Sequence, residues 1–174
     1  MVFLSDIEKK KKISKLQQMI KRDPYNDEKH YELGRILFDF QEYNKAISCF
    51  YSAMEIKPTE PKYWLAIGET HLKRGQYKKA LDYLLKAEKL APPHPEILCL
   101  LGTAFLRLDQ PEKAKWYYYE SLEQEPERVE TLESLASYYE KLSEIPKAIM
   151  LYQELNKKKP KNKDIQRKLR ELYQ

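Results

Sequence analysis

Glycine, cysteine and histidine are scarce in this sequence, at four, two and three residues, and each scarcity removes a class of function. Four separated glycines form no glycine-rich phosphate loop. Cys49 and Cys99 have neither metal-type nor redox-type spacing, and so small a number fits a reducing compartment. His30, His71 and His94 are scattered, with no nucleophile or metal set beside them, so neither catalysis nor a cofactor or metal is expected. No stretch approaches the roughly 18 apolar residues of a membrane span. The opening MVFLSDIEKKKK has only three apolar residues after Met1 before charge begins, too few for a secretory signal. A cytoplasmic location is the expectation.

What is present points to ordered helix. Of the 174 residues, 34% are charged and 42% hydrophobic, a balance that can build a core rather than a disordered chain. The net charge of +5 is modest, and its excess sits at the ends: Lys9 to Lys12, Lys21 and Arg22 at one, Lys157 to Lys159, Lys161, Lys163, Arg167, Lys168 and Arg170 at the other. With 14 tyrosines, these runs raise nucleic-acid binding as an alternative class. It is the weaker one, because many tyrosines fall at core positions and basic runs are more often solvated faces.

The organising feature is a repeat. Pro24, Pro58, Pro92, Pro126 and Pro160 are spaced by 34, as are Gly34, Gly68 and Gly102, and Ala46, Ala80, Ala114 and Ala148. A fixed period of this size marks a stacked array. Residues 61–94 are the clearest copy. Trp64, Ile67, Gly68 and His71 recur at helical spacing and predict one buried stripe. Tyr77, Ala80, Leu81, Leu84 and Ala87 predict a second. Between them Gly75 supplies a residue free to take positive φ and end the first helix, and Pro92 with Pro93 stops the second. Gly68 and Ala80 are small where the two helices should cross.

Trp64, Ile67, Gly68, Tyr77, Ala80, Leu84, Ala87 and Pro92 resemble the tetratricopeptide repeat family, in register over residues 27–160. The resemblance implies an all-α fold, a right-handed solenoid of antiparallel helix pairs. The expected organisation is an N-terminal half-repeat cap over 1–26, repeats over 27–60, 61–94, 95–128 and 129–162, and a C-terminal capping helix over 163–174.

In such arrays the first helices line a concave groove. The candidate peptide-binding residues are Tyr31, Arg35, Phe38 and Asp39; Leu65, Glu69, Leu72 and Lys73; Cys99, Thr103, Leu106 and Arg107; and Glu133, Ser137, Glu140 and Lys141. Apolar anchors in the first three repeats, each worth about 1.5–3 kcal/mol when fully buried, should outweigh exposed ion pairs worth about 0–1 kcal/mol. The fourth repeat reads as polar and acidic. Many co-chaperones of the family grip a C-terminal carboxylate with lysine, asparagine and arginine at set positions; here those positions hold Tyr31 and Arg35, then Ala66, then Glu96 and Leu100, so that clamp is absent. On the outer helices Tyr51, Leu85, Trp116, Tyr119 and Met150 form a candidate convex patch for self-association or a second partner, unless Trp116 folds back over Lys115. The expected function is a non-catalytic module binding a peptide or helix of a protein partner, as adaptor, scaffold or assembly factor. The alternatives are a cytoplasmic chaperone of a secretion system and an RNA-binding helical-repeat protein.

Overall fold

The computed structural model describes residues 6–92 and 94–173, and among them every regular element is an α-helix. In order these are α1 (Asp6–Arg22), α2 (Asp27–Asp39), α3 (Tyr43–Ile56), α4 (Pro61–Lys73), α5 (Tyr77–Leu90), α6 (Pro95–Arg107), α7 (Pro111–Gln124), α8 (Val129–Lys141), α9 (Ile145–Lys158) and α10 (Lys163–Leu172). Pro93 lies outside the described residues. The chain forms two compact units, residues 1–92 and 93–174.

Local chemistry starts and stops the helices. Asn26 Oδ1 accepts from Lys29 N at 3.1 Å, and Asn162 Oδ1 accepts from Asp164 N at 2.9 Å, each satisfying an amide that the first turn leaves without a partner. Proline opens α4, α6 and α7, where its missing N–H costs nothing and its fixed φ suits the helix. Each helix pair then turns through a residue of positive φ: Gln41 at 61°, Gly75 at 70°, Asp109 at 58° and Ser143 at 58°. In every case the next amide returns to a carbonyl five residues back, as in Gln76 N to His71 O at 2.9 Å and Glu144 N to Tyr139 O at 2.9 Å, capping the helix end. Gly75 takes the conformation expected of it, and three non-glycine residues take it at the same place in the other repeats.

In the first unit the core joins Leu16 of α1, Leu33 and Leu37 of α2, Ala46 and Phe50 of α3, and Ala66 and Ile67 of α4. In α4 the expected Ile67, Gly68 and His71 are buried, and the stripe is wider than expected, taking in Tyr63, Ala66 and Thr70 as well. Trp64 stays half-buried, with its indole N–H donating to Pro58 O at 2.7 Å. Tyr63 takes the central place because its hydroxyl has a partner there, Asp27 Oδ2 at 2.6 Å; this hydrogen bond holds the Asp27 carboxyl below its ordinary range. In the second unit Leu132, Ala136, Tyr152 and Leu155 enclose Ile165 of α10, with Leu169 and Leu172 packed against them. The remaining face of α10 is charged and exposed, which suits a solvating end. Ser121, where the first two repeats carry Ala53 and Ala87 and the fourth Leu155, is fully buried and satisfied by Pro95 O and Thr131 Oγ1, each at 2.8 Å.

Candidate peptide-binding faces

In the first unit α2 and α4 lie side by side and bring four of the expected residues together. Arg35 Nη1 donates to Glu69 Oε2 at 2.7 Å, and its guanidinium lies 5.2 Å from the centre of the Phe38 ring. Burial works against the Arg35 charge, but Glu69 more than offsets it and holds the guanidinium above its ordinary value. Tyr31 packs between Phe50 and Tyr63, ring centres 5.7 and 5.5 Å away, under the Lys62 ammonium at 5.3 Å. Leu65 and Leu72 are half-buried. The face is therefore a layer of rings carrying a paired charge, with its leucines partly covered by the unit itself.

The second unit departs from expectation at two anchors. Leu106, 7% exposed, and Cys99, 4% exposed, are not open. Cys99 is drawn inward because Sγ finds Ser134 Oγ at 3.6 Å and Glu130 O at 3.7 Å on the neighbouring first helix. The acidic end is also neutralised internally: Glu133 pairs with Lys159 at 3.4 Å, and Glu140 accepts from Lys168 at 2.8 Å and from the Tyr152 hydroxyl. Lys141 is likewise engaged, donating to Leu106 O at 2.9 Å. What remains open is a cleft of about 330 Å³ between α6 and α8, with Leu106 in its floor and Tyr118 behind. Thr103, Ser134 and Ser137 supply hydroxyls, and Glu130 and Glu133 the acidic side. Arg107 is exposed at its edge and forms no ion pair among the described residues. Thr103, Leu106, Glu133 and Ser137 were legible as groove residues; Glu130, Ser134 and Tyr118 were not.

The outer residues fall into two groups. Tyr51 and Leu85, in the first unit, are half-buried. Tyr51 shares a hydroxyl hydrogen bond with Tyr83, and burial, then that partner, pushes its pKa up to about 12. In the second unit Trp116, Tyr119 and Met150 are 55%, 43% and 68% exposed. Trp116 meets Tyr117 edge-on at 4.7 Å, and Tyr117 stacks on Phe105. Tyr119 and Tyr139 join hydroxyls at 2.9 Å.

A groove that the sequence reading missed lies in the first unit between α1 and α3, about 630 Å³ in volume. Its polar lining includes Ser14, Gln17, Gln18 and Lys21 of α1 and Ser48, Cys49 and Ser52 of α3. Burial pushes the Cys49 thiol up to about 11, so this wall is neutral rather than nucleophilic near pH 7. The Cys99 thiol is also raised by burial. Among the described residues no group of histidines, cysteines and carboxylates could hold a metal ion, and no helix is long and apolar enough to cross a membrane.

Helix-turn-helix pairs of one length, with neighbouring first helices side by side within each unit, define the class of helical-repeat interaction proteins. A tetratricopeptide repeat model matches residues 31–95, and a model of the Psidin N-terminal tetratricopeptide repeat region matches residues 69–173. The chain belongs to the tetratricopeptide repeat family. Among solved structures it is similar to TTC0263, a thermophilic tetratricopeptide protein of Thermus thermophilus, at a TM-score of 0.81 and 18% identity over 92% of this chain and 88% of that one. It is also similar to residues 41 to the end of MamA from Desulfovibrio magneticus RS-1, at 0.73 and 20% over 87% and 85%. A third is YrrB, a tetratricopeptide protein with an unusual peptide-binding site, at 0.66 and 17% over 91% and 81%. None of the curated proteins matches the chain in sequence.

Proposed function

We infer that the protein is a non-catalytic interaction module that takes a peptide or helix of a protein partner on its first-helix faces, as an adaptor or assembly factor. The observation that carries this reading is the α6–α8 cleft. A segment of only a few residues would fit its volume, with the hydroxyls of Thr103, Ser134 and Ser137 for main-chain hydrogen bonds and Arg107 opposite Glu130 to fix direction, over a floor where Leu106 is almost wholly covered. The first unit has a face of its own, with ring contact at Tyr31 and Phe38 and apolar contact at the half-buried Leu65 and Leu72. The peptide-binding site named for YrrB is in keeping with this use of the fold.

The test is capture of partners from native extract by the wild type and by Arg107→Glu/Ser137→Trp, two exposed positions, after circular dichroism shows equal helicity. The double substitution reverses the free cation and fills the cleft, and it should abolish at least one stoichiometric partner. Retention of every partner overturns the reading.

A further inference from the structure

The α1–α3 groove owes its existence to a difference between successive repeats. One repeat later, the interval between α3 and α5 is closed by Tyr51 and Tyr83, ring centres 5.9 Å apart and hydroxyls joined. Counting back by the repeat length, the positions of Tyr51 and Tyr83 are held by Gln17 and Cys49. Both line the groove. Two small or flexible polar residues thus stand where two rings fill the next interval, and the space is left open to solvent.

The walls of the opening carry free hydrogen-bonding groups and a charge that is mostly positive. Gln17 and Gln18 are exposed, and their amides have no partner among the described residues. Ser48 Oγ and Ser52 Oγ donate to carbonyls of their own helix, at 3.2 Å each, which leaves their lone pairs free to accept. Along α1, Lys10, Ser14, Gln17 and Lys21 fall at helical spacing on one row, and Lys11, Lys15, Gln18 and Arg22 on the next. These five cations are exposed and form no ion pair among the described residues. On the α3 side the charges are Glu55, exposed and unpaired, and Lys45, already paired with Glu42. The groove is lined by amides and hydroxyls together with Ile20, His30 and Leu33, under a rim that is strongly positive on balance.

We propose that this groove is a second binding site, separate from the first-helix faces, for an extended acidic segment of a protein partner. The amides and hydroxyls meet the main chain, which both donates and accepts, and the lysine rows meet the carboxylates. From Lys10 to Lys21 the row runs about 16 Å at helical rise, the reach of about five residues of extended chain. The lining favours a peptide over a nucleic-acid strand, because Gln17 and Gln18 offer amides and the ring it holds, the half-buried His30 imidazole, is engaged with Pro24 O at 3.0 Å, which leaves no row of rings on which successive bases could stack.

The test is fluorescence anisotropy with a labelled peptide of alternating glutamate and alanine, using the full chain. The expected result is binding that weakens with salt and falls roughly tenfold or more in Gln17→Tyr/Cys49→Tyr, which restores the filling of the next interval and leaves every cation in place. Lys10→Gln/Lys21→Gln, at two exposed positions, should weaken it similarly with the melting curve unchanged, whereas Arg107→Glu/Ser137→Trp should bind the peptide as wild type does. That last variant separates this site from the first-helix reading, so either can fail alone. Three results would overturn the proposal: no peptide binding, equal binding by the tyrosine-filled variant, or preference for an oligouridine strand over the peptide.

Discussion

In the helix pair α4–α5 a glycine faces a leucine; in α8–α9 the corresponding positions hold alanine and tyrosine. A Cβ at Gly68 would lie 2.7 Å from Leu84 Cγ and 3.3 Å from the Ala80 carbonyl oxygen, so the backbones approach closely and the two helices pack extensively. The α8–α9 pair makes the less extensive contact. There the Ala136 methyl is fully buried, and the longer Tyr152 sends its hydroxyl to Glu140. The same fold thus tolerates two crossings, one set by the absence of a methyl and the other by a ring that reaches past one.

The largest expected effect breaks the first crossing. Gly68→Val places two further carbons against a fully buried leucine and a backbone carbonyl, and should destabilise the chain by about 1–3 kcal/mol. The converse change, Ala136→Gly, should cost about 1 kcal/mol through helix propensity and a small void. Urea unfolding midpoints measure both. If Gly68→Val unfolds where the wild type does, the close crossing is not what the glycine is for.

A smaller effect separates the turns that join these pairs. Gly75 in the second repeat takes φ of 70° freely, whereas Ser143 takes 58° in the fourth against the clash of its Cβ. Gly75→Ala should lower stability by about 1 kcal/mol. Ser143→Gly should raise it by up to about 1 kcal/mol, reduced by the greater freedom glycine gives the unfolded chain. Thermal melts of the two variants should therefore move in opposite directions, and movement in the same direction would mean that the four turns are not equivalent.

The repeat was legible because its period fixes which residues are small, which are apolar and where the chain turns. Gly75, Ala80, Leu84 and Ala87 need no tertiary knowledge to be placed. Side-chain exposure on the first helices was less legible, since it depends on what the neighbouring helix offers: Cys99 goes inward because Ser134 and Glu130 O lie within reach. Glu140 is occupied by Lys168 of the capping helix α10. Tyr63 falls outside the predicted stripe, and its burial follows from Asp27, which accepts from its hydroxyl. The α1–α3 groove left a sequence signal in Gln17 and Cys49 at the positions of Tyr51 and Tyr83, but it is visible only once those two tyrosines are known to meet.

The finest contrast between the second and fourth repeats is chemical. His71 and Tyr139 hold one position two repeats apart, both buried, and only the histidine titrates near neutrality. Its Nδ1 lies 2.7 Å from Gln76 Oε1; since an amide oxygen accepts, Nδ1 carries the proton, and the buried Nε2, without a partner, is the atom that a second proton must enter. Burial accordingly depresses the His71 pKa below its ordinary 6.5, with Arg74 and Lys79 adding to the effect and the Gln76 hydrogen bond opposing it. A depressed folded-state value means that the unfolded chain takes up the proton first. The contribution to stability is present in full above the unfolded value and is lost as the pH falls from there through the folded value. His71→Phe, which places the side chain of the third repeat's Phe105 at this position, should flatten the dependence of the unfolding midpoint on pH between neutrality and about pH 5, whatever it does to the midpoint at pH 8. An unchanged slope would show that the acid sensitivity of the chain lies elsewhere, as at the Asp27 carboxyl, which Tyr63 holds below its ordinary range and whose contribution is lost only at lower pH.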